Sequence, residues 1–274
     1  MNAKQDGIGS EKIIRHRKNG ELEYQSDDLT IEEPLEIRIG GETIATTMRT
    51  PGHDEELAVG FLISEGMIKS ADQIKSTYRP DHARNRHNII CVELVAAVRQ
   101  QSSKPQRLGT ITSSCGICGK ESIDAVRQMF PPISRNEPRI GRDILVALPE
   151  RMTEQQGEFA RTGGIHAAAI FDATGQLKLV REDIGRHNAV DKVIGRAALT
   201  GSLPLDQHIL LVSGRASFEI VQKALAAGIP VIASVSAPSS LAVSFSRESN
   251  QTLIGFLRPP SFNIYSHVER VILS

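Results

Sequence analysis

From Glu33 onward, apolar and polar positions alternate in a way that predicts two strands. Pro34-Leu35-Glu36-Ile37-Arg38-Ile39 puts every second side chain on one face, Gly40-Gly41 turns the chain, and Glu42 to Arg49 returns. Thr50-Pro51-Gly52-His53-Asp54 then opens a helix. Leu57, Phe61 and Leu62 fall at helical spacing through Ser64, and Gly66 ends the run. Asn88 to Val95 predicts another strand, holding Cys91. Residues 1–30 show no comparable period and are expected to be a loose lead-in. Residues 99–109 are polar, and 120–130 read as a helix with Ile123 and Val126 on one face.

The proline cluster at 131–138 is the best candidate boundary. Beyond it the pattern predicts a helix near 144–156, a glycine loop at Thr162-Gly163-Gly164, and a small-residue strand through Phe171. A turn at Asp172 to Gly175 and a hairpin strand from Leu177 to Arg181 follow. Asp183-Ile184-Gly185-Arg186-His187 opens a helix to about Leu199. A buried strand at His208 to Ser213, a helix over 217–227 capped by Gly228, a strand at Ile229 to Ser234, a helix over 239–248 and a strand at 252–257 complete the series. Strands alternating with helices predict an α/β sheet covered on both faces.

Composition narrows the partners. Lys plus Arg equals Asp plus Glu at 32 each, so the net charge points to no general polyanion, and any anion site is local. There is no Trp and aromatics are 4%, which leaves little to stack single-stranded nucleic acid. Met1 to Gly20 is polar and lacks the apolar run of a signal peptide. The longest uncharged stretch, Ala224 to Ser246, carries two prolines and many serines and reads as interior elements instead of a membrane span. Three cysteines in such a chain imply a reducing compartment and free thiols.

Two of those cysteines lie in Ser114-Cys115-Gly116-Ile117-Cys118-Gly119, directly before the helix expected at 120–130. A helix start stabilises a thiolate, and glycines let a second molecule approach the sulfur. Spacing alone leaves zinc binding, redox exchange and sulfur transfer equally open. The nucleobase deaminase pattern, His-x-Glu followed by Pro-Cys-x-x-Cys, is matched in part by His53-Asp54-Glu55 and Cys115 to Cys118, but Ser114 stands where the proline belongs. Cys91, in an apolar strand, reads as a packing residue. Arg186 and His187 at a strand-to-helix junction suit a phosphate or pterin-type ring, and a helix cap by Asp183 with a solvated Arg explains them as well. Ser213, Arg215 and Ser217 flank Gly214 in a similar junction, and His166 follows Gly163-Gly164. Loops at the carboxyl ends of one sheet collect ligands, so these residues predict a pocket jointly.

Together these motifs resemble the formate dehydrogenase accessory sulfurtransferase family, FdhD/NarQ. The likeness rests on Pro51 with Asp54, Leu57 to Leu62, Ser64 to Ile68, Cys115 to Gly119, Thr162 to Ala168, Glu182 to Lys192, Val212 to Glu219, Ala233 to Val243, and Gly255-Phe256. It runs from about residue 31 to the end. It implies a sulfurtransferase of the cytoplasm that passes persulfide sulfur from a cysteine desulfurase to the molybdenum cofactor of formate dehydrogenase. Cys115 would carry the persulfide and Cys118 would assist release or exchange. The cofactor, in its bis(molybdopterin guanine dinucleotide) form, would be bound as substrate, with no permanent cofactor or metal and with homodimer assembly. The family's cofactor segment falls on Phe256, Leu257, Arg258, Pro259, Pro260 and Ser261. Many members have Gly-Arg where this chain has Pro260-Ser261, leaving Arg258 as the substitute cation. The implied architecture is a cytidine-deaminase-like α/β domain with a mixed sheet over 136–274 and a smaller α+β domain over 31–135. The competing class is a carrier that only holds the cofactor, for which the pocket matters and the thiols do not.

Overall fold

The computed structural model describes residues 7–81, 83, 85–96, 111–112, 129–134 and 138–273. In chain order these form β1 (Ile8–His16), β2 (Leu22–Thr30), β3 (Glu33–Ile39), β4 (Glu42–Arg49), α1 (Asp54–Ser64), β5 (Ile74–Tyr78), β6 (Ile89–Leu94) and β7 (Ile111–Thr112). There follow β8 (Ile140–Gly141), α2 (Arg142–Thr153), α3 (Gly157–Thr162), β9 (His166–Asp172), β10 (Leu177–Asp183), α4 (Arg186–Leu199), β11 (His208–Val212), α5 (Phe218–Ala226), β12 (Val231–Ser234), α6 (Ser240–Glu248), β13 (Thr252–Arg258), β14 (Ser261–Ser266) and β15 (Val271–Ile272).

A six-stranded mixed sheet runs β10-β9-β11-β12-β13-β14, with β11, β12 and β13 parallel and antiparallel pairs at both flanks. Its strands supply two separate cores because successive side chains point to opposite faces. Ala168, Ile170, Leu210, Val212, Ile232 and Leu253 pack toward α1, α4, α5 and α6. Ala167, Ala169, Phe171, Ile209, Leu211, Val231 and Ile254 pack with Leu145, Leu148 and Met152 of α2. The sheet is thus covered on both sides, as the alternation of elements predicts.

A second sheet runs β5-β6-β3-β4-β7. Its Leu35, Ile37, Ile90 and Val92 join the first of those cores, so that core draws on both halves of the chain. The link is α1, which lies directly against α4. A Cβ at Gly60 would stand 1.8 Å from the Asp191 carbonyl oxygen, and one at Gly195 would stand 1.8 Å from that of Glu56. Only hydrogen side chains let the two backbones meet there. Among the described residues no helix is long and apolar enough to cross a membrane.

The sequence pattern misses several elements. The stretch expected to be a loose lead-in is, where described, a nine-pair antiparallel hairpin of β1 and β2. Both its faces carry polar residues and Tyr24 is 80% exposed, so no buried face wrote a period into the sequence. It is fastened at its base, where Arg161 bonds Asp28 at 2.8 Å and Thr30 Oγ1 donates to Thr162 Oγ1 at 2.9 Å. Segment 256–261 holds the end of β13, the Pro259-Pro260 turn and the start of β14, closed by the Arg258 and Ser261 pair. The helix expected near 144–156 is α2, and a second short helix, α3, follows it where the pattern predicted none.

Candidate functional site

The turn before α4 is organised by one buried carboxylate. Asp183 does not cap the helix; Gly185 occupies that position. Asp183 Oδ1 accepts from Gly185 N (2.8 Å) and Asn188 Nδ2 (3.0 Å), while Oδ2 accepts from Thr50 N (3.2 Å) and lies 2.7 Å from Lys192 Nζ. Asn188 Nδ2 also donates to the Met48 carbonyl (2.7 Å), and Thr47 Oγ1 donates to Asn188 Oδ1 (3.1 Å). The start of α4 is thereby stitched to β4.

Between β4, α1, α4 and α5 lies a cleft of about 330 Å³. His166, Arg186 and His187 line it, so the structure brings these sequence-predicted residues together. Ser213 and Ser217 stand behind them. Ser213 Oγ accepts from Ala167 N (2.9 Å) and sits 3.4 Å from His166 Nδ1, and Ser217 Oγ sits 3.0 Å from His187 Nε2. The same His187 nitrogen lies 2.9 Å from the Glu219 carboxylate. Gly214 makes the cluster possible, since a Cβ there would stand 3.3 Å from both Arg186 Cδ and His166 Nδ1. Burial, and then the Arg186 cation, push the His166 imidazole below its ordinary pKa. Arg186 Nε is buried with no hydrogen-bond partner among the described residues. A buried donor without an acceptor costs stability and marks a place for an anion.

The other predicted residues lie along the same carboxyl edge of the six-stranded sheet but do not line the cleft. Arg215 is exposed. Phe256 is exposed at φ 50°, Leu257 is fully buried, and Arg258 Nε donates to the Val235 carbonyl at 3.0 Å. Pro259 and Pro260 form the hairpin turn, where the Pro260 carbonyl accepts from Arg142 Nη2 (3.2 Å), and Ser261 is exposed. Backbone bonds from Val235 N to Val212 O, Ser239 N to Ala216 O and Phe256 N to Ser236 O join the three strand-end loops into one rim. Cys115 and Cys118 lie outside the described residues, as does most of the helix expected at 120–130. His53, of the partial deaminase pattern, holds a left-handed conformation before α1 and lies 3.5 Å from Glu56, away from the cleft lining.

Sequence reasoning assigned no role to the deeper wall. Lys223 Nζ bonds both Asp191 oxygens (2.9 and 2.8 Å), and Ser64 Oγ donates to Asp191 at 2.8 Å. Glu65, at 4.0 Å from Lys223, completes this wall, and burial raises its carboxyl pKa. No local signal singles them out: Glu65 closes the run Leu57–Ile63 and Lys223 sits within α5, and each reads as a charge on a solvated face.

Fold and cleft define a mixed α/β protein with a cleft of mixed polar and apolar lining at one edge of its main sheet. The chain belongs to the FdhD/NarQ family, whose model matches residues 30–272. It is 49% identical to the sulfur carrier protein FdhD of Streptomyces avermitilis, over 96% of this chain and 95% of that one. With the sulfur carrier protein FdhD of Sulfurisphaera tokodaii it shares 44% identity over 95% and 98% of the two chains. Its fold matches a crystal structure from Desulfotalea psychrophila, of a protein assigned as a formate dehydrogenase accessory protein. The TM-score is 0.76 at 24% identity, over 97% of this chain and 99% of that one.

Proposed function

We propose that the protein is a cytoplasmic sulfurtransferase that carries persulfide sulfur from a cysteine desulfurase to the molybdenum cofactor of formate dehydrogenase. Cys115 is the carrier, and the cleft grips the guanine dinucleotide form of the cofactor. The mixed sheet with helices on both faces suits the cytidine-deaminase-like layering this reading includes, and the assembly is a homodimer.

One observation supports this reading above the rest. Strand β7 pairs with β4, setting Thr112 opposite Thr46, a residue of the cleft wall. The three residues from Thr112 to Cys115 span at most about 11 Å when fully extended. On the far side, Met129 packs over Gly66, next to cleft-lining Glu65. The described residues on either side of the cysteine loop, Thr112 and Met129, therefore both lie beside the cleft. The donor set also fits the proposed cargo. Arg186 offers a phosphate an unmet buried N–H, and the volume suits a bicyclic ring head, with the remainder of a dinucleotide lying along the open rim.

In loading, the Cys115 thiolate attacks the outer sulfur of the donor persulfide. The donor S–S bond breaks and the donor leaves as a thiolate. In release, the Cys118 thiolate attacks the inner sulfur of the Cys115 persulfide, freeing hydrosulfide and closing a Cys115–Cys118 disulfide. The thiol pair supplies the two electrons that turn sulfane sulfur into sulfide, and the sulfide, with a proton from solvent, replaces an oxygen ligand on molybdenum, which leaves as water. Arg186, His187 and His166 hold the cargo while this happens.

The test is incubation with desulfurase and cysteine, followed by mass spectrometry. The native chain gains the mass of sulfur and Cys115→Ala does not; a Cys115→Ala chain that still gains it overturns the assignment. The holding-only reading is favoured by the cleft alone. It predicts that Cys115→Ala still activates formate dehydrogenase while Arg186→Ala does not.

A further inference from the structure

Among the described residues four carboxylates line the cleft, and three have other commitments. Asp191 is saturated by Lys223 and Ser64, Glu219 faces His187 at 2.9 Å, and Glu32 is exposed to solvent. Glu65 differs from all three. It accepts no hydrogen bond among the described residues, and its one ion-pair partner there, Lys223 at 4.0 Å, already gives two hydrogen bonds to Asp191. Its side chain is partly withdrawn from water, with an exposure of 30%. A partly withdrawn acceptor without protein donors is poorly solvated, and an arriving pair of N–H groups makes up the deficit.

The walls beside it are apolar. Ile37, Ala45, Leu57 and Phe61 line the same cleft, and the Phe61 ring carries the Lys223 ammonium at 5.7 Å from its centroid. Arg186, with its unmet Nε, lines the cleft as well. An apolar space with a free carboxylate and a free guanidinium N–H is complementary to a flat heterocycle that bears adjacent N–H donors and carries a phosphate.

We propose that Glu65 is the specificity-determining residue of the cleft, accepting two hydrogen bonds from the ring N–H (N1–H in guanine, N3–H in pterin) and 2-amino groups of a 2-amino-4-oxopyrimidine edge, the edge that guanine and pterin share. This rests on the reading of the cargo given above. Hypoxanthine keeps N1–H but lacks the 2-amino donor. Adenine presents an acceptor at N1, which would face the Glu65 oxygens unfavourably.

The test is calorimetric titration of the full chain with GDP, IDP, ADP and pyrophosphate. The native chain is expected to bind GDP about ten- to a hundredfold more tightly than IDP, and ADP more weakly still. In Glu65→Gln, GDP affinity falls to the IDP level while pyrophosphate affinity stays unchanged, and desulfurase loading of Cys115 serves as a fold control. If Glu65→Gln does not fold, Glu65→Asp keeps the charge with a shorter reach and is expected to lose most of the GDP preference. A variant that folds and keeps the native GDP-to-IDP ratio overturns the role of Glu65, as does a native chain that binds both equally. A native chain that binds pyrophosphate but no guanine nucleotide overturns the cargo reading itself.

Discussion

Arg186 Nε and the Glu65 carboxylate are placed by their surroundings and left without hydrogen bonds among the described residues, whereas Glu56 is placed and fully met. Arg181 gives Glu56 two hydrogen bonds, at 2.6 and 2.9 Å, and His53 Nδ1 lies 3.5 Å away. Burial opposes the Glu56 charge, but the bonds from His53 and Arg181 outweigh it and bring the carboxyl pKa from 4.5 down to about 2. Because the folded state holds the proton less tightly than the unfolded chain, this carboxylate stabilises the fold above pH 4.5. The contribution fades as pH falls from 4.5 toward about 2. Glu56→Gln is accordingly expected to melt below the native chain at pH 7, with the gap closing through that window. Thermal melts across a pH series check it, and a gap independent of pH would show that the charge is not what matters. At this scale the sequence was readable where chemistry sat beside a glycine at a strand end, as with His166, Arg186, His187, Ser213 and Ser217. It was silent for Glu65 and Lys223, since a charge at the edge of an apolar helix looks the same whether it faces a cleft or open solvent.

Elements carry these residues into register, and the crossing of α1 over α4 is the tightest of their contacts. Helix α1 brings Phe61 and, just past its end, Glu65; α4 brings Arg186, His187 and Asp191. Gly60→Ala puts a methyl group 1.8 Å from the Asp191 carbonyl, so the helices must part. Overpacking of this kind costs about 1–3 kcal/mol, and parting the helices also widens the cleft between them. Urea titration should show the lower midpoint, and GDP affinity should fall with it. A Gly60→Ala chain of native stability would mean that the helices slide past each other at no cost. Helical spacing predicted α1, alternation predicted β3 and β4, and the succession of apolar runs and turn residues predicted α2, α4, α5, α6, β6, β9, β10, β11, β12 and β13. The contact between α1 and α4 was not legible, because nothing local marks which of many glycines meets another backbone. Strands β1, β2 and β5 were missed for a related reason. They are held mainly by backbone pairing, and pairing leaves no period in the side chains.

Across the whole molecule, one hydrophobic core runs from Leu35 and Ile37 in the small sheet, through Val59 and Leu62 of α1, to Val193, Ile232 and Leu253. The hairpin of β1 and β2 contributes nothing to either core cluster. A core shared this way cannot be dismantled on one side without exposing apolar surface on the other, so unfolding should be a single cooperative event. The test is a pair of mild cavity variants at opposite ends of the core, Ile37→Val in β3 and Ile232→Val in β12, each expected to cost about 0.5–1.5 kcal/mol. Both should shift one common denaturant midpoint without changing the slope, and the double variant should shift it by nearly the sum, since the sites are far apart in the chain and lie in different sheets. If the halves were independent, each variant would instead move its own transition and leave the other where it was. The result bears on the cleft directly. Its walls come from β4 and α1 on one side and α4 and α5 on the other, so independent unfolding would let the ligand site open without loss of the main sheet, whereas a common transition makes cleft geometry as durable as the fold.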